Sequence, residues 1–328
     1  MLIFSGMNFP VMSLLLLAGV LLDLLFGEVT RWHPLIGFGN WAAWIEHRLN
    51  RYQHFFLRGV LAWLIVVMPP VILTLLLLLT LPALSWSALL LQSVLLYFCL
   101  GLRSLREHNL PIMQALKADR LIEARALTSR IVSRDTDHAS GADLAKASTE
   151  SLLENGNDAV FATLFWFVIA GASGALLYRL SNTLDAMWGY RTERFNFFGR
   201  AAARIDDGLN WIPARLTALS YILLAADMSG KRRAWHCWRT QAPNWPSPNA
   251  GPVMASGAGA LGLLLGGDAV YHGVTEHRPI LGAGQPAQPT DIARAWRLVA
   301  ATTCLWLLTA LLLAWLPLML AFMESTHA

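Results

Sequence analysis

Residues 298–323 read LVAATTCLWLLTALLLAWLPLMLAFM, a run rich in Leu and Trp with no charged side chain. A helix crosses the hydrocarbon core of a bilayer with about 20 mostly apolar residues, so this stretch predicts a membrane span. Three other windows read the same way. Residues 1–22 carry no charge, and their helix is expected to begin near Pro10. Residues 59–81 are uncharged and Leu-rich, with a Pro69-Pro70 pair expected to kink them. Residues 85–102 follow after a very short connection, which predicts a transmembrane hairpin. Three weaker stretches can each span, re-enter or pack inside the protein. Residues 159–178 are broken by Gly171, Ser173 and Gly174; residues 211–226 contain Pro213 and Arg215; residues 253–267 are short and dominated by Gly and Ala.

Composition agrees with this reading. Of 328 residues 55% are hydrophobic and 14% charged, and mean hydropathy is +0.47. Soluble domains carry roughly 25% charged side chains, so part of this surface must face lipid. Disorder, a fibrous repeat and a disulfide-stapled secreted fold are excluded. The net charge of +4 is a small excess, and no nucleic-acid partner is expected. No Lys or Arg precedes Arg31 and no A-x-A site follows, so no removable signal peptide is predicted. Cys99, Cys237 and Cys304 are scattered and suggest neither a disulfide framework nor a zinc site.

Basic residues mark the cytoplasmic loops. Arg31, Arg48, Arg51 and Arg58 lie between the first two spans, whereas the turn near Pro82 has none. The N-terminus is therefore expected outside, with residues 30–58 and the polar segment 103–158 in the cytoplasm. Within that segment Leu110-Pro111 predicts a helix start. Ala115, Leu116, Leu121, Ile122, Ala126, Leu127 and Ile131 then recur at helical spacing. A second helix is expected from about Gly141 into the next apolar stretch. The whole reads as an all-α, polytopic membrane protein with broken or re-entrant helices, one domain over residues 1–328.

Three clusters can carry chemistry. Glu150, Glu154 and Asp158 stand at i, i+4 and i+8, an acidic stripe beside Ser151 and Asn155. Stacked carboxylates repel unless a cation compensates them, and magnesium with a phosphate is one solution. A solvated face paired with Arg and Lys is the bland alternative. Arg134-Asp135-Thr136 sits in a loop-like setting with Asp137 and His138, where an arginine can grip phosphate or carboxylate bidentately. Asn182, Asp185, Tyr190, Arg204, Asp206, Asp207, Asn210 and Arg215 form the third; an interfacial salt-bridge network is its bland account. Asp23, inside the first apolar segment, is a functional flag by the same rule, and His33-Pro34 follows it.

Other motifs are weaker. Ser247-Pro248-Asn249-Ala250-Gly251 is a turn-forming string, and Gly257, Gly259 and Gly262 after it spell G-x-G-x-x-G. No strand precedes and no acidic ribose partner follows, so close helix packing is the better account. No G-x-x-x-x-G-K-[ST] occurs, so nucleotide use here would not employ a P-loop.

Taken in order, LLDLLFGEVTRWHPLIGFG near the N-terminus, RDT at 134–136, ESLLENGNDAV from Glu150, NTLDAMWGY from Asn182, AARIDDGLNWIPARLTAL from Ala202, SPNAG from Ser247 and LGG from Leu265 resemble the CobD/CbiB family. The family comprises membrane-bound adenosylcobinamide-phosphate synthases of cobalamin biosynthesis. Ala159 and Thr163 stand where the family pattern has Gly and Pro. The resemblance implies an ATP-dependent ligase that joins adenosylcobyric acid to (R)-1-aminopropan-2-ol phosphate. Its location would be the bacterial inner membrane, with the active site facing the cytoplasm. The chemistry needs a metal clamp on the triphosphate, cations for phosphate, and a base or desolvating pocket for the amine. On that basis Glu150, Glu154 and Asp158 are expected to hold Mg²⁺. Arg134, Asp135, Thr136, Asn182, Arg204, Arg215, Ser247 and Asn249 are expected to bind substrate and phosphate. Asp185, Asp206, Asp207 and Asn210 are the expected catalytic groups. A small-solute transporter and a non-catalytic membrane sensor are the rival classes. For ATP to reach them, residues 182–215 must lie on the cytoplasmic side with 103–158.

Overall fold

In a computed structural model the described residues are 7–29, 34–51, 56–190, 192–271 and 273–327, with side chains described through 316. Arg31 and His33 lie outside them. The chain is a helical polytopic membrane protein. Among the described residues five helices are long and apolar enough to cross a bilayer: Phe9–Phe26, Phe56–Thr80, Trp86–Lys117, Gly141–Trp188 and Pro289–Leu316. Contacts divide the chain into two compact units, residues 1–101, 162–209 and 306–328, and residues 102–161 and 210–305.

The first unit is built from α1 (Phe9–Phe26), α2 (Pro34–Leu49), α3 (Phe56–Thr80) and α4 (Trp86–Cys99). The helix α8 (Ala162–Trp188) and the start of α9 (Arg200–Leu223) complete it. Asn8 caps α1 by accepting the Val11 N–H at 3.1 Å, and Pro10 sits in the first turn, where its missing N–H costs nothing. Pro69 and Pro70 are both carried inside α3. Phe38, Trp63, Val66, Leu184, Trp188 and Phe198 form the core of α2, α3, α8 and the turn before α9. Leu57, Leu73, Leu76 and Leu79 of α3 remain exposed, the lipid-facing side of a span.

The expected break in residues 159–178 is real and local. Ala170 and Gly171 leave helical geometry, Gly171 at φ 62° and ψ −153°, a conformation open to glycine. The Ala172 N–H is satisfied by Gln92 Oε1 of α4 at 2.7 Å. Irregular backbone at membrane depth persists only where protein supplies such a partner.

The second unit contains α5 (Leu102–Lys117), α6 (Leu121–Thr128), α7 (Gly141–Gly156), a π turn at Asn157–Phe161, and the later part of α9. It continues with α10 (Met228–Gln241), a 3₁₀ turn at Ala242–Asn244, α11 (Ala250–Leu261) and the start of α12 (Pro289–His327). The helix expected from Pro111 begins at Leu102 instead, with Pro111 inside it. The expected continuous pattern to Ile131 is cut by Asp119 at φ 53°, which separates α5 from α6. The apolar periodicity there reflects two short helices. A Ser140/Asp143 capping box starts α7 where expected.

Residues 253–267 pack inside the protein. Every residue from Ala250 to Ala260 is buried. A Cβ on Gly259 would lie 2.6 Å from the Ala234 Cα, so the glycines let α11 press against α10, as the small-residue reading requires. The all-α expectation omitted five short strands between α11 and α12. The strand β1 (Leu263–Gly266) pairs antiparallel with β4 (Ile280–Gly282) and parallel with β5 (Gln285–Pro286); β2 (Ala269–Tyr271) and β3 (Val274–Glu276) form a hairpin. Strands of two to four residues are too short to show a period-2 pattern.

Candidate functional site

The second unit holds a cavity of about 330 Å³ lined by Arg134, Glu150, Glu154, Trp245, Tyr271 and Arg278, among others. Helix α7 supplies the carboxylates, the loop after α6 supplies Arg134, and the turn between β3 and β4 supplies Arg278. Glu150 is 2% exposed. Its Oε1 accepts the Gly266 N–H at 2.7 Å; its Oε2 accepts from Arg134 Nη2 and lies 3.4 Å from Arg278 Nη2. Gly266 makes this possible with φ 71°, in a spot where a Cβ would overlap the Pro279 carbonyl. This close approach accounts for the LGG motif.

Both arginines are mostly buried, each side chain 12% exposed. Glu150 holds the Arg134 guanidinium above its already high ordinary pKa, against the opposing pull of burial. Arg278 also donates from Nε to the Gly267 carbonyl at 3.1 Å and lies 5.3 Å from the Trp245 ring centroid. The carboxylate of Glu154, one turn along α7, accepts no hydrogen bond from the described residues.

The expected stripe does not arrive as three ligands. Among the described residues no group of three or more His, Cys, Asp or Glu is placed to hold a metal ion. Glu150 is engaged by arginines. Asp158 falls in the π turn, which breaks the i+4 register, and its Oδ1 accepts from Asn157 at 3.0 Å and Asn210 at 2.7 Å. Asn157 also donates to Asn210 Oδ1 and accepts from Thr217, so these four side chains form one network, buried except at Asp158, which is half-buried. The hydrogen bonds inside it suit a structural knot.

The other expected residues are dispersed. Asp135 accepts the Gly273 N–H at 2.7 Å and so ties the β2–β3 hairpin to the Arg134 loop. Thr136 is buried beside it. Both line a neighbouring cavity of about 650 Å³ with Asp143, Lys146 and Asp268. Ser247 lines the smaller cavity, and its Oγ accepts the Asn249 and Ala250 N–H groups at the start of α11. Asn249 accepts from Arg215 Nη1 at 2.7 Å, so that arginine braces the SPNAG turn. In the first unit Asn182 donates to Asp206 Oδ1 at 3.3 Å. Asp206 is buried, Asp185 and Asp207 are half-buried, and Arg204 is exposed.

Comparison with known proteins decides the family. A family model described as CobD/Cbib protein matches residues 16–299. The chain belongs to the CobD/CbiB family. It is 54% identical over 302 residues to the cobalamin biosynthesis protein CobD of Stutzerimonas stutzeri, covering 92% of this chain and 97% of that one. The CobD of Chromobacterium violaceum is 50% identical over 309 residues, with 92% and 96% covered. That of Mycobacterium tuberculosis (strain H37Rv) is 37% identical over 283 residues, with 85% and 88% covered. No solved structure matches. The matched span contains the whole cavity of this CobD/CbiB chain, including residues that inspection of the sequence passed over: Arg278, Trp245 and Tyr271. An isolated arginine in a His-Arg-Pro turn has no spacing that marks it. The only nearby signal was the LGG motif.

Proposed function

We propose that this CobD/CbiB protein is an adenosylcobinamide-phosphate synthase, joining adenosylcobyric acid to (R)-1-aminopropan-2-ol phosphate at the expense of ATP. The curated relatives are named as cobalamin biosynthesis proteins. The observation that carries the chemistry is the cavity where Arg134 and Arg278 meet beside the carboxylate of Glu154.

A carboxylate is a poor electrophile. Transfer of the γ-phosphoryl group to a propionate oxygen gives an acyl phosphate and ADP. The amine nitrogen then attacks the acyl carbon, inorganic phosphate leaves, and the nitrogen loses a proton to solvent or a protein base. The arginines orient and neutralise phosphate oxygens, with bidentate geometry adding direction. Glu154, whose carboxylate accepts no hydrogen bond among the described residues, is the carboxylate suited to Mg²⁺, which favours one or two carboxylates plus phosphate oxygens. Magnesium would supply charge neutralisation along the triphosphate. On this reading the protein works in a bacterial inner membrane, a location its apolar helices support, with the cavity open to the cytoplasm where ATP is made.

The test is mass-spectrometric. Detergent-purified protein is incubated with adenosylcobyric acid, ATP, Mg²⁺ and the amine phosphate. Amide product that needs every component supports the reading. Absence of product, with substrate uptake in reconstituted vesicles, would favour a transporter.

A further inference from the structure

Glu150 spends its acceptors inside the protein. One oxygen holds Gly266 and the other holds both arginines, so a metal ion there must displace a guanidinium. What the cavity is left with is donors. Arg134 Nε is buried with no hydrogen-bond partner among the described residues. Arg278 keeps one well-formed bond at Nε and only a 3.5 Å contact from Nη1 to the Tyr271 hydroxyl. An unpaired buried guanidinium N–H is costly, and an anion is what satisfies it. Two guanidiniums against one carboxylate leave a net positive charge at that end of the cavity.

We propose that Arg134 and Arg278 together bind a phosphoryl group, and that Glu150 is the positioning residue that aims both forks. The assignment rests on the ligase reading only for the carriers of that group. They are the nucleotide's terminal phosphates or the phosphate ester of the amino alcohol.

The experiment uses the full chain in detergent and two probes, a non-hydrolysable ATP analogue with Mg²⁺ and 1-aminopropan-2-ol phosphate, each titrated alone by calorimetry. R278A is expected to weaken at least one probe about tenfold or more, the scale of a charge-assisted hydrogen bond. R278K retains charge without the planar fork and should not restore wild-type affinity. E150Q should weaken the same probe, which identifies the phosphate source. Because these variants can misfold, wild-type protein is also treated with phenylglyoxal and the Arg278 peptide analysed by mass spectrometry. Protection by one probe supports the site. Unchanged affinity in folded R278A, or no protection by either probe, overturns it. Amide formation in the same preparation without protection removes this inference alone. Protection without amide removes the ligase reading and leaves this site standing.

Discussion

Gln92 of α4 accepts the backbone N–H of Ala172 at 2.7 Å, at the point where α8 breaks. The bond connects helices from distant parts of the sequence and substitutes for the helical partner that the break removed. Replacing Gln92 by Leu leaves that N–H unpaired in apolar surroundings, a cost of about 1–3 kcal/mol. The expected outcome is a lower apparent Tm in a fixed detergent and scan rate. An unchanged Tm would mean water or a shifted backbone takes over the acceptor role.

Two glycine substitutions should move stability in opposite directions. Gly259→Ala drives a Cβ into the α10 backbone at Ala234, overpacking that typically costs about 1–3 kcal/mol. Gly208→Ala, inside α9 and exposed with nothing within 4 Å of the new Cβ, should stabilise by about 0.5–1 kcal/mol through helix propensity. Thermal scans of both variants in one detergent check the contrast.

Glu154→Gln separates charge from metal binding. The variant keeps the size of the side chain and removes the anionic oxygen that a cation would take. Its response to added Mg²⁺ should disappear, and turnover should fall at limiting Mg²⁺. Titration of the ATP analogue with and without the cation measures both effects, and an undiminished Mg²⁺ response would remove Glu154 from the metal's coordination.

Asp227 caps α10, accepting the Gly230 N–H at 2.6 Å, and that bond holds its carboxyl below the ordinary carboxylate range. A depressed folded pKa means its contribution is fully present above the unfolded value, about 3.9. The contribution is lost as pH falls through the lower, folded value. Asp227→Asn retains an N-cap acceptor but cannot titrate, so its stability should fall less steeply than wild type below about pH 4. Apparent Tm across acidic buffers tests the slope.

Topology can be tested at Thr192 and Asn196, both exposed. Single cysteines there, in a background lacking Cys99, Cys237 and Cys304, should resist an impermeant thiol reagent in intact cells and react after permeabilisation. Labelling from the periplasm would place that segment away from cytoplasmic ATP.

The spans were legible because lipid exposure is a property of composition: residues 59–81 or 298–323 have no other stable place. The break at Gly171, the helix start near Gly141 and the close packing at Gly259 were legible too, since backbone freedom, helical pattern and size act over a few residues. The ordered motifs were enough to suggest the family. Nothing in the sequence marked the π turn that holds Asp158, where its carboxylate accepts from Asn157 and Asn210. The union of Arg134, Glu150 and Arg278 depended wholly on tertiary structure. It needs the sharp Gly266 turn to bring the β3–β4 connection over α7, and the attraction between a carboxylate and a distant guanidinium acts only once the backbone has brought them together.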